Sequence, residues 1–167
     1  TPARPDAPFD DLIASHLALF TMQYALTQVV KAWGVTPAFA IGYSVGELIA
    51  YVAAGGVSLE VGLEMAFQQA ELVLDESPEA GMLAVLGAPS LLAELHSASS
   101  ELWPGAYNLE RHFVVVGKCP VLSQVQARLW DMDVSSQLLP VRRGFHSGLI
   151  QHLEVPFRRL SAACQWG

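Results

Sequence analysis

The chain has 167 residues, 52% of them hydrophobic and 15% charged, with 9 Lys and Arg against 16 Asp and Glu for a formal charge of −7. That composition excludes a disordered polypeptide, and the length suits one compact unit of about 100–200 residues. Asp, Ser, His, Gln, Lys or Glu interrupts every apolar run before the roughly 18 residues a spanning helix needs, so no membrane partner is expected.

Beyond a Pro- and Asp-rich lead-in, Ile13, Leu17, Phe20 and Tyr24 recur at helical spacing and predict a helix from Asp10 to Trp33. Leu12, Leu19, Leu26 and Val29 widen its apolar stripe, so most of this helix is expected to be buried. Gly34 stops it and Thr36-Pro37 marks a turn. Ala38 to Gly42 is an apolar run of strand length, followed by Tyr43-Ser44-Val45-Gly46 and a helix to about Ala54 that Gly55-Gly56 ends. Ser58 caps a further helix to about Asp75. From Gly81 the pattern changes to short alternating elements: strand 82–86, helix 89–99, a weak strand 102–108, a strong strand 112–116, helix 119–130 and strand 137–141. That order, βαββαβ, is the signature of a ferredoxin-like subdomain.

Residues 1–110 carry two cations, Arg4 and Lys31, against 13 acids, whereas residues 111–167 carry seven cations against three acids. The bias in the first half fits a solvated acidic face, and an acidic chain whose cations lack interleaved aromatics is not expected to bind nucleic acid. Cys119 and Cys164 stand far apart without metal-ligand spacing, so neither a disulfide framework nor a metal site is suggested, and a reducing, cytoplasmic setting is expected. Thr1-Pro-Ala-Arg-Pro-Asp6 has no initiator Met, signal core or transit character, which implies a processed chain or a piece of a longer one.

Gly42-Tyr-Ser-Val-Gly46 matches Gly-x-Ser-x-Gly between a predicted strand and a predicted helix, the setting of a nucleophile elbow. Small residues two before and two after Ser44 let strand and helix approach closely and force the hydroxyl out of a tight turn. Ser44 and Glu47 also have capping-box spacing. Both roles can hold, since a helix N-terminus would set the Val45 amide beside a developing oxyanion. A serine nucleophile needs a base. Among His16, His96, His112, His146 and His152, only His146 follows a strand end on a Gly-bounded loop, Arg142-Arg-Gly-Phe-His-Ser-Gly148, where catalytic residues are often presented. The alternative is a loop histidine exposed to solvent.

Gly-Tyr-Ser-Val-Gly-Glu at 42–47 resembles the Gly-His-Ser-x-Gly-Glu motif of malonyl-CoA:ACP-type acyltransferases, including the acyltransferase domains of polyketide synthases. Ala53-Ala-Gly-Gly-Val-Ser-Leu-Glu60, Gly81-Met-Leu-Ala-Val85, Phe113-Val-Val-Val-Gly117 and Leu139-Pro-Val141 with Gly144-Phe-His-Ser147 resemble later blocks of that family, in the same order. The resemblance implies an α/β protein: an α/β-hydrolase-like large subdomain, residues 1–79 and 141–167, with an inserted ferredoxin-like small subdomain, residues 80–140. It implies a Ser44–His146 dyad whose histidine is oriented by backbone, coenzyme A thioester as substrate and no tightly bound cofactor. The implied partners are an acyl carrier protein and other synthase domains. The family's Gly-Gln-Gly oxyanion segment should lie upstream of residue 1, and the region after the His-Ser block is cut short at Gly167, so a fragment is expected.

Specificity is where the chain departs from the family. The family's histidine before the serine is Tyr43 here. Malonyl-loading members grip the substrate carboxylate with an arginine about 25 positions after the serine, which falls on Gln69, and no Lys or Arg occurs between residues 32 and 110. A carboxylate without a bidentate partner is costly to bury, which favours a neutral acyl group, with a solvent-facing Gln68–Gln69 pair as the alternative. Arg143-Gly-Phe-His146 occupies the positions where the family reads extender identity, with Phe145 the malonyl-like choice and Arg142 or Arg143 able to supply a cation. Arg111, Lys118, Arg128, Arg158 and Arg159 are further candidates for coenzyme A phosphates or an acidic carrier protein. The expected activity is transfer of an uncarboxylated acyl group from acyl-CoA, through acyl-Ser44, to a carrier's phosphopantetheine thiol. An acyl hydrolase of the same fold that removes acyl groups from carrier proteins, using water as acceptor, and a catalytically silent synthase scaffold domain are the alternatives.

Overall fold

The structure, a computed structural model, describes residues 11–163. They form two compact units, residues 11–75 with 154–163 and residues 76–153. The lead-in, the Asp10 start of the first helix and Cys164 lie outside the described residues.

The first unit is helical: α1 (Leu12–Ala32), α2 (Gly46–Ala54), most of α3 (Leu59–Glu76) and α6 (Glu154–Ala163). Asp11 caps α1, its Oδ1 accepting from the Ala14 amide at 2.9 Å. Gly34 at φ +85° and Gly55 at φ +81° end α1 and α2 in the left-handed turn that glycine takes without strain. Ser58 Oγ accepts from the Val61 amide at 3.2 Å and starts α3 as expected. Phe20, Leu48, Ile49, Met65 and Ala66 form the core where the three helices meet.

Two expectations fail here. Most of α1 is not buried: Phe20 is, whereas Leu19, Met22, Leu26, Val29 and Val30 are exposed. The helix is apolar all round, and α2 and α3 cover one side of it. Ala38 to Gly42 forms no strand, and Phe39 and Ile41 are 92% and 95% exposed. An isolated extended segment has no ladder to join, and among the described residues of this unit there is no strand to pair with it.

The second unit holds β1 (Gly81–Val85), α4 (Leu91–Ala98), β2 (Leu102–Leu109), β3 (His112–Gly117), α5 (Cys119–Asp131) and β4 (Ser136–Leu138), followed by a 3-10 turn at Gly148–Leu153. The strands pair antiparallel in the order β2-β3-β1-β4, the ferredoxin-like arrangement. Alternation divides each strand between two faces. Leu83, Val85, Phe113 and Val115 point to a core with Leu92 and Leu95 of α4 and Leu122, Val125 and Leu129 of α5. Met82, Val114 and Val116 point the other way, against Trp103, Phe145 and Leu149. The second face therefore carries the segment that contains His146. By their contacts residues 141–153 group with this sheet, whereas the sequence expectation divided the chain at 80 and 140.

β4 stops at Leu138, three residues short of the expected Val141. Pro140 has no amide to give the ladder. The segment nevertheless keeps to β1: the Leu139 amide bonds Met82 O at 2.9 Å, the Ala80 amide bonds Arg142 O at 3.2 Å, and Arg143 bridges Glu79. No helix of the described residues is long and apolar enough to cross a membrane.

Candidate active site

Ser44 stands in the turn before α2 with φ +55°. Asn, Asp and Gly tolerate this left-handed conformation; for serine it costs of order 1–3 kcal/mol and persists only where the surroundings impose it. The imposing contact is local. A Cβ on Gly42 would lie 2.2 Å from the Gly46 carbonyl carbon and oxygen and 2.3 Å from Glu47 Cα, so the chain before the serine runs directly against the first turn of α2. This is the close approach for which the Gly-x-Ser-x-Gly spacing was read. Gly46 is buried, with Gln23 Oε1 of α1 within 3.5 Å of where its Cβ would be.

Val45 is the N-cap of α2 and provides no side-chain cap, and the helix opens with the Gly46 amide bonded to Tyr43 O at 3.0 Å and the Glu47 amide to Ser44 O at 2.9 Å. Ser44 thus lies one residue outside the cap position that the capping-box spacing would give it. The positive end of the α2 dipole faces this turn. Ser44 is exposed and Tyr43 is 67% exposed. Gln69 is half-buried on α3, one turn from buried Met65 and one from buried Val73, and Gln68, also half-buried, donates to exposed Glu64.

His146, at φ +57°, belongs to the other unit. Asp133, in the turn after α5, is the third non-glycine at positive φ among the described residues, so two of the three are the expected nucleophile and base. Ser147 Oγ donates to Gly144 O at 2.6 Å and accepts from the Leu149 amide at 3.2 Å, closing the loop around His146. The Phe145 ring lies 6.5 Å from that of His146 and packs on the Met82, Val114 and Val116 face. Arg143 is half-buried, its Nη1 donating to Arg142 O at 3.0 Å. His146, Ser147 and Gly148 line a cleft of about 360 Å³ with Trp103, Pro104, Ile150 and Gln151.

The other histidines are placed elsewhere. His16 is half-buried in α1 with Nδ1 3.0 Å from Leu12 O, and burial lowers its pKa from 6.5. His96 is exposed on α4, His112 opens β3, and His152 Nε2 meets Glu76 O at 2.9 Å. Among the described residues no cluster of His, Cys, Asp and Glu could hold a metal ion. Sequence reasoning did not single out Trp103 of the His146 cleft, for which the sequence offers only an aromatic within the weak strand 102–108.

A family model described as the acyl transferase domain matches residues 3–162, and the chain belongs to that family. It is 36% identical over 157 residues, 93% of its length, to the polyketide biosynthesis acyltransferase homolog BaeD of Bacillus velezensis, of which it covers 48%. It is 33% identical over 156 residues, 92% of its length, to the homolog PksD of Bacillus subtilis, again covering 48%. Among solved structures, the acyltransferase domain from module 8 of the salinomycin polyketide synthase matches 98% of the chain, which covers 39% of it, at 25% identity with a TM-score of 0.85. The chain therefore spans about half the length of the curated relatives it matches.

Proposed function

We propose that this chain carries the nucleophile and general base of an acyltransferase of polyketide biosynthesis. Ser44 Oγ attacks the carbonyl carbon of an acyl-CoA thioester while His146 takes the hydroxyl proton, and the Val45 amide stabilises the oxyanion. Collapse expels the coenzyme A thiolate, which takes the proton from His146 and leaves acyl-Ser44. The phosphopantetheine thiol of an acyl carrier protein then gives its proton to His146, its sulfur attacks the ester, and Ser44 leaves reprotonated. The scheme needs no tightly bound cofactor, and coenzyme A places it in the cytoplasm with the carrier and other synthase domains as partners.

The observation that carries this reading is the left-handed Ser44 in a turn where Gly42 leaves no room for a Cβ. The test is intact-protein mass spectrometry of the full-length protein with a panel of acyl-CoAs, with and without carrier. An acyl mass shift that Ser44→Ala abolishes supports the reading, and one that survives Ser44→Ala refutes it. His146→Ala should slow transfer by about two to four orders of magnitude with the fold intact. Damage from His96→Ala or His112→Ala in its place would mean a different base. Supplying pre-acylated carrier separates transfer from hydrolysis, since a hydrolase of acyl carriers releases free acid from it whereas a transferase passes the acyl group only to a thiol acceptor.

A further inference from the structure

His146 has a backbone conformation that an L-residue keeps only when its neighbours hold it there, and its loop stands on two glycines. A Cβ on Gly144 would lie 2.8 Å from Leu149 Cδ1 and 3.2 Å from both Ala80 Cβ and Val116 Cγ1. One on Gly148 would lie 2.7 Å from Trp103 Nε1 and 3.2 Å from its Cδ1. Trp103 of β2 and Val116 of β3 are direct cross-strand partners, so their side chains share one face of the sheet. The loop thus rests both its ends on a single cross-strand pair, with the Ser147 hydroxyl tying the ends together and His146 between them. Trp103 is the distinctive member of the pair: its rigid indole reaches the Gly148 backbone and also lines the cleft that His146 lines.

We infer that Trp103 is a positioning residue for His146. Its indole edge, bearing on Gly148, keeps the His146 backbone in the left-handed region and the imidazole at one place on the cleft. The catalytic consequence rests on the reading of His146 as general base; the structural part does not.

The test uses Gly148→Ala, Trp103→Phe and the double variant of the full-length protein with isotope-labelled histidine, the His146 resonances being identified by their loss in His146→Gln. In Gly148→Ala the new Cβ overlaps the indole edge, so either ring or loop must shift and the His146 resonances should move with it. In the same variant kcat for acyl transfer should fall by about tenfold to a hundredfold with KM for acyl-CoA little changed, and the melting temperature should drop modestly. Trp103→Phe alone empties the contact with Gly148, so the His146 resonances should shift and kcat should fall, and a single variant indistinguishable from the parent overturns the inference. In the double variant the added Cβ refills that gap, which should recover the resonances and bring kcat to within about threefold of the parent. On a His146→Gln background Gly148→Ala should cost nothing further. His146 resonances that stay in place in Gly148→Ala overturn the inference, and so does a double variant no better than Gly148→Ala. Should Trp103→Phe not fold, Trp103→Leu takes its place. Intact transfer in His146→Gln would sink the general-base reading alone, leaving the resonances to decide the role of Trp103.

Discussion

In the helical unit, the proposed chemistry puts Gly42 beside the nucleophile and Gln69 in the acyl-selecting position. At Gly42 the atoms that would meet a Cβ are backbone, which cannot rotate aside. Gly42→Ala should therefore cost about 1–3 kcal/mol of stability and abolish Ser44 acylation, measurable by denaturant midpoint and by mass spectrometry on one sample. A variant that loads as the parent does would show that the turn does not depend on this contact. Gln69 is half-buried, and residues 32–110 hold ten acids and no Lys or Arg, so under the proposed function a malonyl carboxylate would find no cation there. The parent should prefer acetyl- or longer acyl-CoA to malonyl-CoA in kcat/KM, and Gln69→Arg should move preference toward malonyl-CoA through a charge-assisted pair. A parent that already favours malonyl-CoA about tenfold would refute this, and Arg143 would then be the cation to remove.

Among the elements, the helices were legible because their signals are local. Gly34 and Gly55 mark their ends by backbone freedom alone, and Ser58 its cap by one hydrogen bond. The strands were legible where a short apolar run had a partner, as in β1 and β3. Ala38 to Gly42 has the same apolar character, and the sequence holds no information about whether a neighbouring strand stands beside it. Pro140 could have warned that β4 would end early. α1 carries a titration of its own. Burial lowers the pKa of His16, with the bond to Leu12 O acting weakly the other way. A depressed histidine pKa means the unfolded chain takes up the proton first. Stability is thus fully present above pH 6.5 and is lost as pH falls below it toward the folded value. Chemical denaturation midpoints on either side of pH 6.5 should show the loss, and His16→Gln should flatten it; an unchanged slope in His16→Gln would assign the acid sensitivity to other groups.

For the molecule as a whole, the sequence divided charge as clearly as it divided fold. Exposed Arg111, Arg128, Arg142 and Arg159 all belong to the cationic final third, while Lys118 and Arg158 pair with Glu101 and Glu154. If those arginines steer an acidic carrier, transfer to the carrier should weaken as ionic strength rises, because exposed charges are screened beyond about 10 Å at 0.1 M salt. Transfer to free, uncharged pantetheine should change little over the same range. Equal losses with both acceptors would remove the arginines from carrier recognition. Of the candidate site, the tight turns at Ser44 and His146 were legible because glycines frame each of them. Trp103 was not, since what links it to His146 is a strand register and a fold-back of the chain, and neither leaves a local pattern.

The two glycine-framed turns also differ in when they can form. The Ser44 turn is closed by contacts between residues one helical turn apart, Gly42 with Gly46 and Glu47, so it can form as soon as α2 does. The His146 loop rests on Ala80, Val116 and Trp103, from three segments distant in sequence, and must wait until the antiparallel sheet has assembled. During refolding, amides at the start of α2 should become protected before those of the loop. A newly made chain would then possess its serine turn for a time without a seated histidine, and its reactivity would mature with the sheet.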